Sequence, residues 1–96
     1  TFPCEWAETQ NNLGIVYRNR IRGRRAENIE AAITHFQAAL TKRIRETSPQ
    51  DWAETQTNLG NVYIDRPMGE TAENLEAAIR CFQAALDVET RPVLRV

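Results

Sequence analysis

"WAETQNNLGIVY", from Trp6 to Tyr17, returns as "WAETQTNLGNVY", from Trp52 to Tyr63. Laid against itself at that separation of about 46 residues, the chain agrees at roughly 27 of 50 positions without a gap. Shared composition does not produce such agreement, so the chain is two tandem units, residues 1–46 and 47–96, and not two unrelated domains. The matches run through "WAETQ", "NLG", "VY", "AEN", "EAAI" and "FQAAL". Divergence falls in two places: Arg18 to Arg25 against Ile64 to Thr71, and Thr41 to Thr47 against Asp87 to Val93. Those stretches read as loops and helix ends.

Within each unit the apolar spacing is helical. Trp6, Leu13 and Tyr17 stand at i, i+7 and i+11, and Ile29, Ile33, Phe36 and Leu40 step by four, three and four. Trp52, Leu59 and Tyr63, then Leu75, Ile79, Phe82 and Leu86, repeat both stripes. Ser48-Pro49 offers an N-cap followed by proline at the first helical position, and Asp51 suits the positive end of a helix. Pro3 and Glu5 repeat the arrangement at the chain start, while Gly23 and Pro67-Met68-Gly69 break each unit in two. The pattern predicts four helices, about 4–20, 25–44, 49–65 and 71–90, in an all-α fold of tandem antiparallel hairpins without strands. A glycine inside a helix costs about 1 kcal/mol against alanine. Gly14 and Gly60 therefore need a packing reason, and close approach of the paired helix near Ala32 and Ala78 supplies one.

Composition removes several function classes. With 96 residues and a formal net charge of −1, the chain is one small domain with no overall field to draw nucleic acid or acidic lipid. No apolar run approaches the ~20 residues of a membrane span, and a cytoplasmic location is expected. The chain opens at Thr1 without methionine, as expected of a processed product or an excised piece of a longer protein. Cys4 and Cys81 stand far apart with no CxxC and a single histidine, which predicts free thiols in a reducing compartment and neither zinc nor a disulfide framework. His35 has Cys81 as its counterpart, a change that reads as helix-flank filler and not as catalysis. Glu27, Glu30, Glu73 and Glu76 suit helix-start charge and surface pairing. No catalytic set, cofactor or metal is expected.

"NLGNVY" followed by "NLEAAIRCFQAAL" resembles the tetratricopeptide repeat (TPR) family. Leu59, Gly60, Tyr63, Ala78, Phe82 and Ala85 match its small and large signature positions, as do Leu13, Gly14, Tyr17, Ala32, Phe36 and Ala39 in the first copy. The repeat is longer than the usual ~34 residues. In this it is similar to kinesin light chains and to large bacterial multi-repeat signalling proteins, whose repeats accompany protease-like or nucleotide-switch domains. Gln10 and Gln56 stand where the family usually has tryptophan, which has moved four residues earlier to Trp6 and Trp52. The resemblance implies a TPR-like α-solenoid fragment that binds protein or peptide in a concave groove and is not itself an enzyme.

With Leu13 placed at the core, Glu8, Asn11, Asn12, Ile15, Arg18 and Asn19 fall on or beside the opposite face, and Glu54, Thr57, Asn58, Asn61, Ile64 and Asp65 are their counterparts. In the family that face lines the groove. Asn12 and Asn58 are then expected to grip the backbone of an extended peptide, each amide offering a donor and an acceptor. Glu8, Arg18, Ile64 and Asp65 would choose among ligands. Asn11, Thr57, Ile15 and Asn61 occupy the face where a clamp for acidic tails needs basic residues, so that ligand is not expected. Two alternatives remain. "RNRIRGRR", from Arg18 to Arg25, is a candidate RNA or phosphate contact, although the second copy has Ile64, Arg66, Met68, Glu70 and Thr71 at the matching places, where a repeat-based reader should repeat its contacts. The chain could also be a structural spacer, and self-association is expected because repeat units bury their stripes on neighbours.

Overall fold

The computed structural model describes residues 3–20 and 22–94, with side chains described as far as Val88; Thr1, Phe2, Ile21, Arg95 and Val96 lie outside the described residues. Four helices follow one another: α1 (Pro3–Asn19), α2 (Arg25–Leu40), α3 (Pro49–Asp65) and α4 (Thr71–Leu94). No strand occurs among the described residues. Adjacent helices pair as α1 with α2 and α3 with α4, and α3 also packs on α2. The smallest extent, 18 Å, is that of two layers of helices of ~10 Å each.

The main core lies between the two hairpins. Ile29, Ala32, Ile33 and Phe36 of α2 meet Leu59 and Val62 of α3, with Cys81 of α4 behind them. Phe36 and Val62 are fully buried, each such side chain contributing about 1.5–3 kcal/mol. A smaller cluster joins Ala53 to Ala85 and Val88 under Trp52. Both connections within the hairpins are built alike. Gly23 and Gly69 adopt positive φ, which only glycine takes without strain. One helical turn later Asn28 and Asn74, both buried, donate to the carbonyls of Arg22 and Met68 at 2.8 Å. These bonds tie each loop to the helix that follows, and they explain why the "AEN" asparagine recurs.

Five expectations need correction. Leu13 and Trp6 are exposed and not in the core, because the residues that bury Leu59 belong to α2, and among the described residues no second hairpin packs on that side of α1. Gly14 admits the ring of Phe36, not the region of Ala32: a methyl on Gly14 would lie 2.5 Å from Phe36 Cε1. Gly60 stands in the same relation to Phe82. α2 ends at Leu40, short of residue 44. There Thr41 turns its hydroxyl onto the Ala38 carbonyl, and the chain unwinds so that Arg43 can turn inward and be buried. Ser48 does occupy the N-cap position of α3, but its hydroxyl makes no capping bond. α4 runs past residue 90 to Leu94, no glycine following Gly69 to end it.

Candidate functional site

α1 and α3 run in the same direction, since Asn11 meets Thr55 and Asn58 while the later Arg18 meets Asp65. The backbones of α2 and α4 do not approach each other closely. Equivalent residues of the two repeats therefore lie side by side on the α1/α3 side of the slab. Between these helices runs a polar chain. Arg43 Nη1 donates to Thr55 Oγ1 at 3.0 Å, Thr55 Oγ1 donates to Asn11 Oδ1 at 3.0 Å, and Asn58 Nδ2 donates to the same Oδ1 at 3.2 Å. Thr55, Asn11 and Arg43 are all buried, so each needs the partner it has. Glu54 lies 3.6 Å from Arg43 and offsets its charge.

The predicted groove residues divide into two groups. Glu8, Asn12, Ile15 and Asn19 form one exposed stripe along α1; their counterparts on α3 are the exposed Glu54 and the half-buried Asn58, Asn61 and Asp65. Asn11 and Arg18 fall outside that stripe. Asn11 is buried against α3, and Arg18 pairs with Asp65 at 3.0 Å. Thr57 and Ile64, the counterparts of Asn11 and Arg18 on α3, are half-buried and exposed respectively. The physical reason is one of direction. Ala7 and Gly14 face the partner helix, whereas Leu13 points toward where a preceding hairpin would lie. An arc drawn opposite Leu13 is thus turned by part of the ~100° step between residues. Asn58 is also partly committed, its amide hydrogen serving Asn11 instead of the solvent face.

The arginine cluster is partly neutralised by the chain's own acids. Arg18 and Arg25 converge on Asp65, Arg24 faces Glu27 at 3.9 Å, and Arg25 also donates to the Arg18 carbonyl. Arg20 lies over the Tyr17 ring at 5.9 Å. His35 is packed, its ring stacked on Tyr17 and its Nδ1 2.7 Å from Gln10 Oε1. Cys4 is exposed and Cys81 is buried, both free, and burial pushes the Cys81 thiol above its ordinary value. Among the described residues no group of three His, Cys, Asp or Glu side chains could hold a metal, and no helix is long and apolar enough to cross a membrane. A shallow open depression on α4 is lined by Ala72, Glu73, Glu76 and Arg80.

Sequence reading passed over the residues that join the repeats. Arg66 grips Glu30 through two bonds, Nε to Oε2 at 2.6 Å and Nη2 to Oε1 at 3.0 Å, and also donates to Asn74. The Glu30 bond holds the guanidinium pKa above its ordinary value, against the opposing effect of burial. Arg66 also lies over Tyr63, at 6.0 Å, as Arg20 does over Tyr17. A signal was present: inside a stretch that otherwise diverges, Arg20 and Arg66 are identical, as are the turn glycines Gly23 and Gly69. No family model, curated protein or solved structure matches this chain.

Proposed function

We propose that the chain is a TPR-like scaffold module that binds protein or peptide, without catalysis of its own, and holds an extended segment across α1 and α3. The observation that carries this reading is the parallel, side-by-side course of those two helices. The register of those helices puts Ile15 level with Asn61 and Glu8 level with Glu54, an exposed stripe on α1 beside a largely half-buried polar one on α3. Neighbouring helices lie ~8–10 Å apart, and an extended chain rises ~3.3 Å per residue, so equivalent positions meet ligand groups about three residues apart. Two hydrogen bonds at a net ~0.5–1.5 kcal/mol each fall short of an association cost of ~4 kcal/mol or more. Binding by two repeats is therefore weak and rests on the whole ribbon.

The test is selection from a displayed peptide library on the whole chain, followed by titration of the selected peptide. Ile15→Ala combined with Asn61→Ala should weaken binding while circular dichroism keeps the parent helicity. The rival is an RNA- or phosphate-contacting role for the loop. Full binding by that double variant, together with loss on replacing Arg22 and Arg24 by alanine, refutes the groove and favours the loop.

A further inference from the structure

We propose that the chain stacks head to tail on copies of itself, the outer side of α1 in one copy seating on the outer side of α4 in another, with Arg20 paired to Glu76 across the junction. This does not rest on the peptide-binding reading, because it is argued from the internal junction between the repeats, although Asn12 serves in both.

The junction between the two repeats is the template. There α3 presents Leu59 and Val62 to Ile29, Ile33 and Phe36 of α2, and Arg66, held over Tyr63, clasps Glu30. Moved along by one repeat, each half of that junction appears on an outer helix of the described residues. α1 carries Leu13 and Val16, with Arg20 just after its last residue, and α4 carries Leu75, Ile79 and Glu76. Burial shows what is missing. Val62 is 0 % exposed and its counterpart Val16 is 61 %; Ile33 is 7 % exposed and Ile79 is 46 %.

An apolar face alone would not name its occupant. Here the polar groups name it as well. Arg20 already holds the posture of Arg66, over its own tyrosine, and Glu76 borders the open depression on α4 at the position of Glu30. Arg18, by contrast, pairs with Asp65 inside the molecule and has Ile64 as its counterpart. Thr9 and Asn12 match the Thr55 and Asn58 that meet Asn11, and in the stacked copies they would meet Thr57. This accounts for the copying of Asn12. It is the same inter-repeat tie, waiting at the head of the chain. One element is not reproduced: the Arg18–Asp65 pair becomes Ile64 against Asn19. The junction between copies is therefore weaker than the internal one and forms as concentration rises. Being heterologous, it yields a ladder of oligomers, not one closed dimer.

Sedimentation equilibrium of the whole chain, from micromolar to millimolar, reads this directly. Val16→Glu blocks the head and Ile79→Glu blocks the tail, both at exposed positions, so helicity should stay at the parent value. Each variant alone should be monomeric where the parent associates, and an equal mixture should form pairs and nothing larger. Glu76→Arg should weaken association about tenfold or more, and adding Arg20→Glu in the same chain should restore it. A parent that is monomeric at millimolar concentration overturns the proposal, as does a single closed dimer. So does a mixture of the two blocked variants that stays monomeric, or a Glu76→Arg chain that associates like the parent.

Discussion

Gly14 and Gly60 occupy the same place in the two repeats, yet alanine at each should give different results. Alanine gains about 1 kcal/mol over glycine in a helix interior. Against that stands the ring beside each site. A methyl on Gly14 would lie 2.5 Å from Phe36 Cε1 and 2.7 Å from Cδ1 and Cζ. Carbons rest at ~3.5–4.0 Å, so the ring must move by roughly 1 Å. Phe36 is fully buried in the core between the hairpins and has nowhere to go. Overpacking of this kind costs ~1–3 kcal/mol, which leaves Gly14→Ala destabilised by up to about 2 kcal/mol. At Gly60 the matching distances are 2.7, 2.9 and 3.1 Å, and Phe82 is only half-buried, so its ring can swing outward. Gly60→Ala should stay within about 0.5 kcal/mol of the parent. Urea unfolding of dilute protein, followed by circular dichroism, measures both. Phe36→Leu placed in the Gly14→Ala chain should cost less than it does alone, because the smaller side chain makes room. A Gly14→Ala chain as stable as Gly60→Ala, or more so, refutes the assignment of these glycines to ring contact.

How much of this was legible depended on whether a residue's role was set within one repeat or between two. The helices, their pairing and the need for close approach at Gly14 and Gly60 follow from periodicity, and the structure has them. What spacing could not give was the direction of each stripe. Leu13 and Leu59 are the same letter at the same phase, but among the described residues only Leu59 packs on a second hairpin, so one is exposed and the other is core. Choosing Leu13 as the inward reference turned the expected groove toward Asn11 and Arg18, which in fact face α3. The buried Arg43 was illegible for another reason. A lone arginine in a divergent linker reads as solvated until the distant Thr55 and Glu54 are seen beside it.

Two further outcomes follow from buried groups. Thr55→Val removes the hydroxyl that links Arg43 to Asn11, leaving buried polar atoms short of a partner, and should cost about 1–3 kcal/mol, or a fall in Tm of several degrees; an unchanged Tm would mean the network contributes nothing. Cys81 sets a pH dependence. Its thiol is buried and its pKa lies above the ordinary thiol value of about 8.5, so the folded chain keeps a proton that the unfolded chain has begun to lose. Stability contributed by this group is complete below that ordinary value and declines as pH rises through the folded pKa. Replacing Cys81 with alanine should flatten this alkaline decline, whatever it does to stability at neutral pH. A thiol reagent at neutral pH should modify the exposed Cys4 readily and Cys81 only as fast as the chain opens, so added urea should speed the second reaction and not the first. Equal rates for the two thiols in native buffer would place Cys81 outside the core and undo the packing of α4 on α3.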